Sequence, residues 1–204
     1  MEKHKVFISY HHANDQKYKN DLEDMNNQHD IFLNRSVALG DIAEDEDPQK
    51  IREIIRDNYL KDTSVLILLV GKATKHRKHV DWEIYSSMRD SSKNKKSGIL
   101  VVNLPETNTT YIRSTHGKNE KNKIHKNVSS WTTINERSEF EKRFPYMPDR
   151  IIDNFLNKES YISVVNWSQI YNKPNNLREL IQLTFNDRDK CQYNMSRCMR
   201  MRNG

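Results

Sequence analysis

The sequence predicts an α/β fold, a five-stranded parallel sheet with helices on both faces. Three observations carry this prediction. Short apolar blocks rich in β-branched residues recur along the chain, as KVFISY (5–10), SVLILLV (64–70), GILVVNL (98–104) and YISVVNW (161–167). Their apolar residues run almost continuously, the pattern of strands buried on both faces. Stretches with apolar residues at helical spacing alternate with them, the order of a parallel sheet joined by crossover helices.

The elements follow one another in a regular rhythm. Residues 5–10 read as the first strand. Asn14 and Asp15 are candidate caps for a helix through Met25, because short polar side chains accept from the free N–H groups of a first turn. DIFLN (30–34) reads as the second strand and RSVALGDIAEDEDP (35–48) as a long loop. Asp47 and Pro48 suit the start of a helix, QKIREIIRDNYL (49–60), with Ile51, Ile54, Ile55 and Tyr59 at helical spacing. Strand three spans 64–70. A basic loop, GKATKHRKH (71–79), leads to a helix beginning near Val80. Strand four is 98–104, strand five is 161–167, and NNLRELIQLTF (175–185) is the last helix.

Residues 105–160 interrupt the rhythm. They are polar, rich in Asn, Lys and Thr, and hold an aromatic cluster of Trp131, Phe140, Phe144 and Tyr146. They read as an insertion before the last strand, partly helical after Asp149. One domain is expected over 1–187, followed by a basic tail, 188–204, that could be a frayed helix, a docking segment or disordered.

Composition narrows the function classes. The chain has 204 residues, 35% hydrophobic and 30% charged. That is polar, but the apolar blocks decide against disorder. A net charge of +6 permits a polyanionic partner. The lysine-rich segments 72–78, 93–96 and 118–126 carry few interleaved aromatics, so a nucleic acid is not expected as that partner. The two cysteines, Cys191 and Cys198, form no framework of paired spacings, which points to a reducing cytoplasm. The N-terminus lacks an apolar signal region, and the longest strongly apolar run, Val65 to Val70, is far too short to span a bilayer. No membrane partner is expected. Gly-x-Gly-x-x-Gly, a Walker lysine loop and a Gly-x-Ser-x-Gly elbow are all absent from the sequence, and it holds only five glycines. A pyrophosphate cradle of backbone amides is therefore not expected.

In open α/β sheets ligands bind beyond the carboxyl ends of the strands, where strand order reverses. For the order 2-1-3-4-5 that point lies between strands one and three. Ser9, Tyr10, His11 and His12 then flank one side of the crevice, and the loop and helix after Gly71 flank the other. Within HVDWEIYSSM (79–88), Val80, Ile84 and Met88 recur every four residues and form the buried stripe. Trp82 is expected on nearly the opposite side, offering a flat face to a ring or a partner. Glu83 is expected on a flank. Its place in a first helical turn is also explained by the helix dipole alone, so a structural role stays open beside a catalytic one. His76 and His79 lack further ligands fixed by spacing and read as a solvated face, not a metal site.

The residues of this region resemble a known family. KVFISYHHAND looks like the first strand and following loop of TIR domains, and RSVALGDIAEDEDP occupies the place of their BB loop. TSVLILLVGKATKHRKHVDWEI resembles the third strand and next helix of the TIR-like branch found in bacterial Thoeris anti-phage defence, the ThsB subunit. Thr74, Arg77, Trp82, Glu83 and Ile84 fill that branch's pattern. The histidine pair after Tyr10 and the long insertion depart from it.

The resemblance implies a flavodoxin-like TIR fold with sheet order 2-1-3-4-5. It also implies an NAD+ glycohydrolase or ADP-ribosyl cyclase, with NAD+ as substrate and no cofactor. The nicotinamide bond is cleaved, and a cyclic ADP-ribose isomer signals to a separate effector without stable contact. Glu83 falls at the family's catalytic glutamate. Ser9, Tyr10, His11, Trp82 and Asp45 are its expected substrate-binding neighbours. Self-association through the loop 36–47 would close the site. A non-enzymatic TIR interaction module, docking through the same loop and Trp82, is the alternative. The glutamate is expected to be ionised at neutral pH, favoured by the helix N-terminus and the basic loop.

Overall fold

The computed structural model describes residues 2–36, 60–90 and 95–204. Asp45, the loop 36–47 apart from Ser36, and the helix expected over 49–60 apart from Leu60 lie outside the described residues. Five strands, β1 (Lys5–Ser9), β2 (Leu33–Asn34), β3 (Val65–Val70), β4 (Gly98–Asn103) and β5 (Ser163–Asn166), form one sheet in the order β2-β1-β3-β4-β5. Every neighbouring pair is parallel. The described helices are α1 (His12–His29), α2 (Lys78–Met88), α3 (Gly117–Ile124), α4 (Arg137–Arg143), α5 (Asp149–Phe155) and α6 (Pro174–Asp187). The architecture is the flavodoxin-like α/β fold that the sequence predicts.

Two cores lie on the two faces of the sheet, and strand parity assigns residues to them. Successive side chains of a strand point to opposite faces. Phe7, Leu66, Leu68, Val70, Ile99 and Val101 pack on one face with Val80, Ile84 and Met88 of α2 and Ile151, Ile152 and Phe155 of α5. Val6, Ile8, Val65, Ile67, Leu69, Leu100 and Val102 pack on the other with Leu22 and Met25 of α1 and Leu177, Leu180 and Ile181 of α6. Each such side chain contributes roughly 1.5–3 kcal/mol on burial. Parity also places Ser9 on the Phe7 face, beneath α2, and Tyr10 with the opposite core.

Several elements depart from their predicted form. The helix after β1 begins at His12, with His11 in extended geometry as its cap, so Asn14 and Asp15 do not cap it. Asp15 instead turns inward, 1% exposed, against Gly71 and Thr74 of the β3–α2 loop. Strand β2 is only two residues long. Asp30 takes a left-handed conformation, φ 52°, and the Asn26 side-chain oxygen accepts from the Ile31 and Phe32 N–H groups, which keeps both out of the ladder. Strand β5 stops at Asn166, where a reciprocal capping box with Gln169 starts a 3₁₀ turn.

The aromatic cluster of the insertion is divided. Phe140 and Phe144 are buried against Phe155, whereas Trp131 stands apart beside His125 and Lys121. Arg113 bridges Val164 in antiparallel fashion, so the insertion extends the sheet beyond β5. The tail runs from a 3₁₀ turn at Arg188–Lys190 into irregular chain laid across α2 and α5. Cys191 and Cys198 are free thiols. No helix among the described residues is long and apolar enough to cross a membrane.

Candidate active site

The β1 and β3 strands are neighbours, and the chain leaves their carboxyl ends in opposite directions along the sheet. This is the switch point at which a ligand crevice forms. Ser9 closes β1 facing α2, and Glu83 lies in the second turn of α2. The Ser9 hydroxyl donates to Glu83 Oε2 at 2.5 Å. The structure thus joins two residues 74 positions apart in sequence.

Both groups are buried. Glu83 is 2% exposed and Ser9 0%. Burial raises the Glu83 pKa from 4.5 to about 8, and the Ser9 hydrogen bond only partly opposes this. In this conformation burial favours the protonated form of Glu83, opposite in direction to the expectation of an ionised carboxylate.

The helix starts at the switch point are polar and incompletely satisfied. His11 and Arg77, the N-caps of α1 and α2, face one another closely enough for Arg77 to depress the histidine pKa, after the larger effect of burial. Nδ1 of His11 and Nε of Arg77 are both buried without a hydrogen-bond partner among the described residues. Buried polar atoms of this kind are costly unless something pairs with them. Arg77 was not among the expected substrate-binding residues. Its signal was the basic loop, which reads as a solvated run until the fold brings it opposite His11.

The other expected residues are placed differently. Tyr10 packs in the core beneath α1, donates to Gln16 Oε1 at 2.7 Å and stacks on His12. Trp82 does not present an open face. It is 2% exposed, its indole N–H donates to the Arg200 carbonyl at 2.8 Å, and His79 meets its ring edge-on.

The outer face of α2 is covered by α5 and the tail. Arg150 of α5, fully buried, binds Asp81 through Nε at 2.8 Å and Nη2 at 3.0 Å. The same guanidinium donates to the Arg197 and Cys198 carbonyls, and Asp81 accepts from the Arg200 N–H. Helical spacing cannot see this second layer of protein. Asp45 lies outside the described residues.

Thr74 has a structural position. Its hydroxyl accepts from the Gly71 N–H at 2.9 Å and lies 3.3 Å from Asp15 Oδ2, tying the β3–α2 loop to α1. Burial and the neighbouring Glu106 carboxyl raise the Asp15 pKa above the usual carboxylate range. Among the described residues no three His, Cys, Asp or Glu side chains converge as metal ligands.

A search among curated proteins returned no match. The family model described as Thoeris protein ThsB, TIR-like domain, matches residues 7–109, just over half of the chain. That span contains the last three residues of β1, strands β2 to β4, both loops at the switch point, Ser9 and Glu83, and it stops before most of the insertion and the tail. The sheet order, the serine–glutamate pair at the switch point and this match converge on one statement: the chain belongs to the Thoeris ThsB TIR-like domain family.

Proposed function

We propose that this protein cleaves the nicotinamide–ribose bond of NAD+ and forms a cyclic ADP-ribose isomer, with Glu83 as the catalytic carboxylate. The observation that carries the reading is the buried Ser9–Glu83 pair at the β1/β3 switch point of a Thoeris TIR-like domain. Fold alone would not support an activity; the placement of a desolvated carboxylate does.

The chemistry asks little of a general acid. Nicotinamide leaves the cationic pyridinium as a neutral molecule, taking the electron pair of the C1′–N bond. The remaining ribosyl centre is oxocarbenium-like and is stabilised by an adjacent carboxylate, as in glycoside hydrolysis. A hydroxyl of the same ADP-ribose then attacks C1′ and loses its proton, which requires a folded substrate and exclusion of water. The crevice atoms of His11 and Arg77 that lack partners suit the polar groups of the substrate.

This role asks for the ionised carboxylate, whereas burial in this conformation favours the protonated form. Two changes would favour the ionised form. Opening toward the crevice restores solvent, and the pyridinium charge of bound NAD+ lowers the carboxyl pKa. Self-association through the loop 36–47 is expected to close the site over bound substrate, and the signal reaches its effector as a nucleotide. The interaction-module reading loses its docking residue, because Trp82 is buried beneath the tail. The experiment is nicotinamide release from NAD+ by purified protein, with and without a lysate of phage-infected cells. Release that depends on the lysate is expected; no release under either condition would reject the activity.

A further inference from the structure

The insertion builds a cavity of about 510 Å³. Every residue that lines it is numbered 110 or higher, so it lies wholly outside the family match. It shares no residue with the switch-point crevice. It sits at the far edge of the sheet, where Arg113 bridges Val164. Strands β3, β4 and β5 intervene, which at ~4.8 Å per strand separates the two sites by about 15 Å.

The charge of the lining is one-sided. Arg113, Lys121, Arg143 and Lys158 contribute to the wall, and no aspartate or glutamate does. Arg143 is paired outward with Glu139. Arg113 is different. Its guanidinium donates to the backbone carbonyls of Ile162 and Phe155, which uses two of its five N–H groups. No carboxylate among the described residues forms an ion pair with it, and burial lowers its pKa to about 10. Glu120 acts on it only at longer range, being held by Ser114, Thr115 and His116. A half-buried guanidinium with no ion-pair partner among the described residues is well placed to receive an oxyanion.

Aromatic rings stand beside these cations. Lys121 Nζ lies 4.8 Å from the Trp131 ring centroid, and the Arg143 guanidinium 5.1 Å from that of Tyr111. Cations next to flat rings are the means by which proteins hold a phosphate together with its base. The wall between them is rich in threonine and serine hydroxyls, suited to a sugar. The volume falls in the range of small-molecule sites and suits a mononucleotide, not a polymer.

We propose that this cavity binds a phosphorylated nucleoside, with the phosphate held by Arg113, Lys121 and Lys158 and the base against Trp131. The inference stands independently of NAD+ cleavage at Glu83. The test is calorimetric titration of the full chain with AMP, GMP, CMP and UMP, and separately with inorganic phosphate. At least one mononucleotide should bind one-to-one and about tenfold more tightly than phosphate. Lys121→Ala, Lys158→Ala and Trp131→Ala should each weaken it about tenfold, the scale of one charge-assisted or stacking contact. Glu83→Gln should leave it unchanged. These three positions are only partly buried or exposed, so their variants fold. Failure of all four nucleotides to bind would overturn the proposal. So would phosphate binding as tightly, affinity surviving the three substitutions, or affinity lost in Glu83→Gln.

Discussion

The Ser9 hydroxyl and the Glu83 carboxyl meet at 2.5 Å in a site closed to solvent. The Ser9 hydrogen bond lowers the Glu83 pKa, against the larger effect of burial. Ser9→Ala should therefore raise that pKa further. It should also cost about 1–3 kcal/mol of stability, the cost of leaving a buried polar group unpaired. Thermal unfolding, together with titration of the carboxyl by NMR, measures both effects.

The raised pKa makes stability depend on pH with a definite sign. The protonated, buried form of Glu83 contributes fully below the unfolded value of 4.5. Its contribution is lost as pH rises through about 8. Glu83→Gln keeps the shape and removes the titration. The variant should gain in melting temperature over wild type at pH 9 by more than it does at pH 6. Equal differences at the two pH values would mean that Glu83 is solvated in the resting protein.

Asp81 and Arg150 form the clamp that holds α5 and the tail on α2. Arg150→Ala should cost about 3–5 kcal/mol, because it strands a buried charge. The paired replacement Asp81→Leu with Arg150→Met should cost much less, since no charge remains unpaired. Both should speed amide hydrogen exchange over 197–204, where the tail carbonyls lose their donor. Unchanged exchange there would separate the clamp from the tail.

Gly71 is held close to Asp15. A Cβ at Gly71 would lie 2.5 Å and 2.7 Å from the two Asp15 carboxyl oxygens. Gly71→Ala should cost about 1–3 kcal/mol through overpacking. Most of that should disappear when Asp15→Ala is added, giving a coupling of about 1 kcal/mol or more in a double-mutant cycle.

Much of this arrangement was legible in the sequence, for reasons that the structure makes plain. The apolar blocks give the strands, and parity carries Ser9 to the face that α2 covers. The switch-point rule then brings Glu83 to it. Contacts that depend on remote chain were not legible. Trp82 is buried by Arg200, 118 positions later, through a tail whose composition suggests solvent. The raised pKa of Glu83 follows from its burial against Ser9 of β1, which its local sequence does not reveal. Asp15 has the composition of a cap, but its role is set by Gly71 and Thr74 across the sheet end.

The central claim is that Glu83 carries NAD+ cleavage in a Thoeris TIR-like protein. Mass spectrometry of the products from lysate-triggered wild type and Glu83→Gln, run side by side, tests it most directly. Wild type is expected to give nicotinamide and a cyclic ADP-ribose isomer, and the variant neither. Full product formation by Glu83→Gln would contradict it.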